Sequence, residues 1–252
     1  MVTISKIICY NLTNMAKQSK IRVALIIPAY NEAAVVGKVV HNLHKTFAKT
    51  EYDFSVVVVN DGSTDDTALV ARKAGAHVID HIINSGSGAA TATGLSYAQS
   101  KDFAIAATLD ADGQHDADDV LQGVNNLLTG DADLLIGSRI IQSGDMSLLK
   151  KVGNKGLSLI TLMLFGINVT DSQSGLRIFS QKALKELRWK TSGYEFCSEM
   201  LWRANQAGLR IREYPIKAIY TEYSMGKGQS NWNGFNIVKV LLRQRIVELF
   251  SE

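Results

Sequence analysis

"RVALIIPAYNEAAVVGKVVHNLHKTF", residues 22–47, sets two patterns side by side with a short polar hinge between them. The first part is a continuous apolar run, suited to a strand buried on both faces; the second carries apolar residues at helical spacing. The same cadence returns downstream. "FSVVVVNDGS" (54–63) leads into "TDDTALVARKAGA" (64–76), "HVIDH" (77–81) into "SGAATATGLSYAQS" (87–100), and "FAIAATLDADG" (103–113) and "DADLLIGSR" (131–139) supply two more strands. Strands that alternate with helices in this way predict an α/β fold, a doubly wound and mostly parallel Rossmann-like sheet flanked by helices.

In such sheets ligands lie beyond the carboxyl ends of the strands. Each strand here runs into polar residues at that end: Asn31 and Glu32, Asp61 and Ser63, Asp110 and Asp112. One cleft lined with carboxylates is therefore expected. After residue 139 the alternation stops, giving a long apolar helix, a polar turn "DSQSGLRIFS" (171–180), a helix around "FCSEMLWRANQAG" (196–208) and a strand "RIREYPI" (210–216). A loop "YTEYSMGKGQSNW" (220–232) and a last helix "FNIVKVLLRQRIVELF" (235–250) follow.

"ATLDADGQHDADD", residues 107–119, holds five carboxylates. Asp116, Asp118 and Asp119 suit the cap and first turn of the helix that follows, where the helix dipole favours negative charge. Asp110 and Asp112 are different, because they directly end a buried strand, where charge is costly without a cation. Hard oxygen ligands at that point suit Mg²⁺ or Mn²⁺. "NSGSGAATATG" (84–94) opens a helix with glycines whose N–H groups suit an anion, but it has neither the Rossmann spacing nor the lysine of a P-loop.

Taken in order, "IIPAYNE", "VVVVNDGSTDDT", "NSGSGAATATG", "LDADGQHD", "GSR" and "DSQSGLRIF" resemble the family 2 inverting glycosyltransferases of the GT-A fold, and most of all the polyprenyl- or dolichyl-phosphate sugar synthases. The resemblance implies that Pro28, Tyr30, Glu32, Asp61, Gly62 and Ser63 line a nucleotide pocket with Gly86, Gly88 and Ala111. It implies that Asp110 contacts the donor's ribose or sugar, and that Asp112 with Gln114 holds the divalent cation on the diphosphate. Arg139, Ser174, Arg177 and Lys227 are implied as cationic or polar contacts to the donor diphosphate and the acceptor phosphate. Glu199, with Glu195 one turn earlier, is a candidate for positioning the acceptor, an ion pair with Arg203 being the plainer reading of Glu199. One departure stands out: Ser87 and Ala92 occupy places where close relatives carry basic residues.

The acceptor decides whether a base is needed. A lipid phosphate is largely ionised at neutral pH and attacks unaided, whereas a sugar hydroxyl requires a carboxylate base. A hydroxyl acceptor in polysaccharide or glycolipid assembly, and a non-catalytic nucleotide-sugar binder, are the competing readings.

Composition narrows the partners. The chain has 252 residues, a formal charge of +3 and a pI near 8.7, too weakly basic to indicate nucleic acid. Cys9 and Cys197 lie far apart, outside any metal-ligand spacing, which fits a reducing compartment. Residues 1–20 read as an extension without signal-peptide features, Met15 being an alternative start, and 21–252 as one GT-A domain. No stretch is long enough to span a bilayer. "GLSLITLMLFGINV" (156–169), preceded by "SLLKKVGNK", and the 235–250 helix, with Lys239, Arg243 and Arg245, suit either a core or an anionic lipid surface. With the resemblance, the expectation is a cytoplasmic enzyme held peripherally on the inner face of the membrane, with a separate small membrane protein as one source of anchorage. Self-association stays open.

Overall fold

The structure, a computed structural model, describes residues 20–141, 148–217, 219 and 239, and of 148–155 and 157 the backbone alone. Seven strands form one sheet: β1 (Arg22–Ala29), β2 (Asp53–Asn60), β3 (His77–Asp80), β4 (Ile105–Thr108), β5 (Leu134–Ser138), β6 (Arg177–Ser180) and β7 (Ile211–Pro215). The helices are α1 (Val36–Phe47), α2 (Thr67–Lys73), α3 (Ser87–Ser100), α4 (Ala117–Thr129), α5 (Leu148–Phe165), α6 (Gln181–Glu186) and α7 (Phe196–Gln206). The strand order is β3-β2-β1-β4-β6-β5-β7.

The apolar run of β1 is buried on both faces, as its composition predicts. Val23, Leu25 and Ile27 pack with Val36, Val40 and Leu43 of α1 and with Val120 and Val124 of α4, while Ala24 and Ile26 belong to the opposite core with Ala90 of α3 and Met200 and Trp202 of α7. Helix α3 comes very close to the sheet at Gly94, where a Cβ would lie 2.3 Å from Ile26 Cγ2. The chain winds outward from β1 through β2 to β3, then returns to place β4 on the other side of β1. That reversal opens the crevice in which an α/β sheet binds its ligand.

One strand departs from the sequence reading. The "polar turn" 171–180 ends in β6, which pairs antiparallel with both β4 and β5, so the sheet is mixed. The register pairs Arg177 with Thr108 and with Ile136, bringing the start of β6 level with the ends of β4 and β5. The loop that enters β6 is thereby delivered to the same edge of the sheet as Asp110. A four-residue strand flanked by polar loops carries too little periodicity to be recognised in isolation. Asp116 caps α4 as expected, accepting from the Asp118 N–H at 3.0 Å. Asp119 does more than load the first turn: it is buried, and its Oδ2 accepts from Lys217 N at 2.7 Å, tying α4 to the chain leaving β7.

Candidate active site

The loops after β1 and β2 are stitched together by hydrogen bonds across the crevice. Asn31 N donates to Ser63 Oγ at 3.0 Å, Thr64 N to Asn31 Oδ1 at 2.9 Å, and Glu32 N to Thr67 Oγ1 at 2.8 Å. Pro28, Tyr30, Glu32, Asp61 and Ser63 are therefore held as one wall. Ser63 serves this wall by joining its two loops.

Asp61 is committed more heavily than its sequence motif suggests. It is almost wholly buried, with Oδ1 accepting from His81 Nδ1 at 2.7 Å and Ser85 N at 2.9 Å, and Oδ2 from Gly86 N at 2.8 Å. A carboxylate only accepts, so His81 carries a proton on Nδ1, and its Nε2 lies 3.0 Å from Thr93 Oγ1. Asp61 thus anchors the loop between β3 and α3, leaving only part of Oδ2 for a nucleotide. Gly62 makes this approach feasible: its φ is +68°, and a Cβ there would lie 2.4 Å from the Ile83 carbonyl carbon.

The glycine-rich start of α3 is not open to an anion in the way its sequence suggests. Gly88 N donates to the Ser192 carbonyl at 2.7 Å, and a Cβ on Gly86 would lie 2.4 Å from the same oxygen. A Cβ on Gly88 would lie 2.7 Å from the Thr191 carbonyl. The segment before α7 therefore covers this helix end with carbonyls, and Gly86 and Gly88 are required by that packing. Trp189 Nε1 closes it further by donating to the Gly88 carbonyl at 3.2 Å. Ser87 and Ala92 bring no charge here, and the Ser87 hydroxyl is buried without a hydrogen-bond partner among the described residues.

At the end of β4 the acids meet. Ala111 is buried in the turn, Gly113 takes φ +77°, and the chain doubles back so that Asp112 Oδ1 accepts from Gln114 N at 2.9 Å and Oδ2 from Gln114 Nε2 at 2.7 Å. Asp110 has a side chain 54% exposed, and its Oδ2 lies 3.2 Å from the buried His115 Nε2. Desolvation and the charge of Asp110 push the Asp112 carboxyl above its ordinary range, outweighing the Gln114 N–H and His115. Desolvation acts on Asp110 too, but the hydrogen bond and charge of His115, together with Arg139 and Arg177, bring its carboxyl below the usual range. Two crowded carboxylates that titrate apart form a negative field that a cation relieves.

The donor set fits a hard divalent ion. Gln114 gives its amide N–H to Asp112, so its Oε1 is the oxygen of that amide not engaged in this bond and is of the type a hard cation takes. No group of three His, Cys, Asp or Glu that could hold a metal occurs among the described residues.

The expected cationic contacts are drawn differently. Arg139 forms a two-pronged pair with buried Asp171, Nε to Oδ2 at 2.7 Å and Nη2 to Oδ1 at 2.9 Å. Arg177 is enclosed. It donates to the carbonyls of Ser172, Ser174 and Cys197 at 2.8, 3.0 and 3.1 Å and to Met200 Sδ, and so braces the loop entering β6 against α7. A phosphate contact from Arg177 gives way to this positioning role. Ser174 is fully buried, its hydroxyl without a partner among the described residues. Glu199 is also sealed, accepting from Lys190 N at 3.1 Å, Thr191 N at 2.8 Å and Thr191 Oγ1 at 2.7 Å, with Arg203 Nε at 3.4 Å. Direct contact of Glu199 with an acceptor is replaced by support of the segment that caps α3. Lys227, the 220–232 loop, the 235–250 helix apart from Lys239, Cys9 and the N-terminal extension lie outside the described residues.

Two histidines were not singled out by the sequence reading, His81 and His115. Their only signal is position, each within a few residues of a strand-end acid.

Residues 24–188 match the model of the family described as Glycosyl transferase family 2. The chain belongs to that family. A glycosyl transferase of Methanococcus voltae, named UDP-N-acetylglucosamine–dolichyl-phosphate N-acetylglucosaminyltransferase, is 42% identical over 240 residues, covering 86% of this chain and 94% of its own. The polyprenol monophosphomannose synthase of Mycolicibacterium smegmatis is 27% identical over 234 residues, covering 88% and 85%. Among solved structures, glucosyl-3-phosphoglycerate synthase from Mycobacterium tuberculosis, in complex with Mn²⁺ and UDP-glucose, superposes with a TM-score of 0.69 at 19% identity, covering 93% of this chain and 82% of that one. The fold of this family 2 glycosyl transferase is GT-A, with Asp110 and Asp112 at the strand end that faces its crevice.

Proposed function

We propose that this glycosyl transferase moves a sugar, with inversion, from a nucleoside diphosphate sugar to the phosphate of a polyprenyl or dolichyl lipid. The observation that carries this reading is the state of Glu199 and Cys197 on α7, Glu195 at its N-cap being the carboxylate left for a hydroxyl acceptor. Glu199 has both oxygens bound within the protein, and burial raises the Cys197 thiol to about 11, so neither serves as a general base at neutral pH. A phosphate nucleophile needs no base. The lipid-phosphate transferases among the relatives support the same acceptor class.

In this reading Asp112 and Gln114 would hold Mg²⁺ or Mn²⁺, which when bound supplies Lewis-acid stabilisation of the departing diphosphate. Asp110 faces the donor's ribose or sugar, and the wall formed by Pro28, Tyr30, Glu32 and Asp61 receives the nucleotide. Arg139 and Arg177 hold the loops around the transferred sugar, while Lys227 supplies a point charge for phosphate.

Helix α5 supports a peripheral place on a membrane surface. Its hydroxyls point inward: Ser158 Oγ donates to the Thr170 carbonyl at 3.1 Å, and Thr161 Oγ1 to Ser198 Oγ at 3.2 Å. Part of its apolar surface is outside, with Leu159 50% and Met163 73% exposed, while Phe165 is buried against Trp202. An exposed apolar strip of this kind suits contact with lipid, and the sequence of the same helix supplies Lys150, Lys151 and Lys155, a composition suited to anionic headgroups. Among the described residues no helix is long and apolar enough to cross a membrane. We place the active cleft on the cytoplasmic face, residues 21–252 acting as one catalytic domain.

The test is nucleotide release from UDP- and GDP-sugars with Mn²⁺ or Mg²⁺, with and without a polyprenyl phosphate. Release that rises on adding the lipid phosphate, with a lipid-linked sugar as product, is expected. Release that responds only to a sugar hydroxyl acceptor overturns the reading and turns attention to the half-buried Glu195.

A further inference from the structure

Asp110 leaves the end of β4 with half its side chain exposed to the crevice, and a carboxylate in that setting turns freely unless something holds it. The structure holds it from two sides. Gly175 lies so close that a Cβ there would stand 2.3 Å from Oδ1, and His115 Nε2 stands 3.2 Å from Oδ2. His115 is the one hydrogen-bonding partner of this carboxylate among the described residues, and its side chain is only 1% exposed.

We propose that His115 is a positioning residue for Asp110, an assignment that rests on the sugar-transfer reading above. A carboxylate can only accept, so the ring carries its proton on Nε2. Nδ1 is buried and has no hydrogen-bond partner among the described residues, so no second polar contact sets the angle of the ring. Packing encloses the ring, whose side chain is 1% exposed, but supplies no second hydrogen bond among the described residues. His115 lines a cavity of about 440 Å³ with Val35, Lys38, Val39 and Asp112, between α1 and the turn of acids. The bond from Nε2 to Asp110 is therefore what couples the two side chains, and through Gly113 and Gln114 the same short turn carries Asp112. A buried donor behind an exposed carboxylate sets the direction in which its free oxygen meets the donor sugar, without touching the substrate.

The geometry separates two amide replacements. A glutamine side chain places its Nε2 close to the position of imidazole Nε2, whereas asparagine places its Nδ2 close to that of Nδ1, where nothing is bonded. His115→Gln should keep Asp110 oriented; His115→Asn and His115→Leu should not. The measurements are calorimetric titration of UDP with and without Mn²⁺, donor KM and kcat, and thermal melting of each variant.

His115→Gln is expected to stay close to the wild type, while His115→Asn and His115→Leu lose about 10- to 100-fold in kcat/KM and weaken UDP binding in the presence of Mn²⁺. In an Asp110→Asn background, His115→Leu should cost nothing further in UDP binding, because the coupled partner is gone. This cycle still decides the matter if His115→Asn does not fold. Equal behaviour of the glutamine and asparagine replacements, or full additivity in the cycle, overturns the assignment. A wild type that neither binds UDP with Mn²⁺ nor transfers sugar overturns the functional reading instead.

Discussion

Glu199→Gln tests whether α7 supports the donor loop from behind. The substitution keeps the size of the side chain but replaces one accepting oxygen with an amide donor. In the wild type one oxygen accepts from Lys190 N at 3.1 Å and the other from Thr191 N and Thr191 Oγ1 at 2.8 and 2.7 Å. Whichever way the amide sits, its NH₂ meets at least one backbone N–H that then loses its acceptor at a part-buried site beside the fully buried residue 199 side chain. An unsatisfied buried donor costs about 1–3 kcal/mol, and loss of charge from the remaining bonds adds about 1 kcal/mol, giving roughly 2–4 kcal/mol. With an unfolding entropy of about 2.1 cal/mol/K per residue over 252 residues, melting should fall by about 4–8 °C. The 191–193 segment covers Gly86 and Gly88, and Gly86 bonds to Asp61, so the donor KM should rise together with the loss of stability. Calorimetry and donor-saturation curves measure both. A variant that melts within a degree of the wild type and keeps its donor KM refutes the supporting role; one that folds and binds donor normally but loses transfer makes Glu199 a base after all.

Asp112→Asn should abolish the Mn²⁺-dependent part of UDP affinity and leave the fold intact, read by titration with and without the metal. Its sign in stability is also defined: the folded-state carboxyl is raised, so wild-type stability falls as pH climbs from the ordinary carboxylate range through that raised value. The Asp112→Asn variant, free of metal, should lack this fall and melt no lower than wild type at pH 7; a lower melting temperature there contradicts the crowding described. Arg177→Met strands three carbonyls in a buried place and should lower stability by at least about 3 kcal/mol, measured by urea unfolding; unchanged stability with lost transfer would restore the phosphate-contact role. Leu159→Ser combined with Met163→Gln should weaken sedimentation with anionic vesicles while melting stays within about 1 °C, since both side chains are exposed; undiminished vesicle binding removes α5 from the lipid surface.

The strands and helices up to β5 were legible because their signals are local. An apolar run such as 22–29 has one good use, burial on both sheet faces, and a polar strand end such as Asp110–Asp112 falls at the crevice wherever the parallel units stack. The helix cap at Asp116 is equally local, its acceptor and donor being two residues apart. Position at the end of a buried strand also singled out Asp110 and Asp112, and Asp112 bonds to Gln114 within the same turn.

What each charge is spent on was decided only in three dimensions. Arg139 and Asp171 are 32 residues apart, Arg177 and the Cys197 carbonyl 20, Asp61 and Gly86 25. These partners meet because β6 inserts antiparallel between β4 and β5 and because α7 packs against the start of α3, and neither event leaves a periodic trace in the chain. A lone arginine or glutamate in a matched motif reads the same whether it faces a ligand or a buried carbonyl, since its type is set by charge and its role by which neighbours the folded sheet brings within hydrogen-bonding distance. His115 shows the same limit at short range: it lies five residues from Asp110, yet only the tight turn at Gly113, φ +77°, swings its Nε2 back onto that carboxylate.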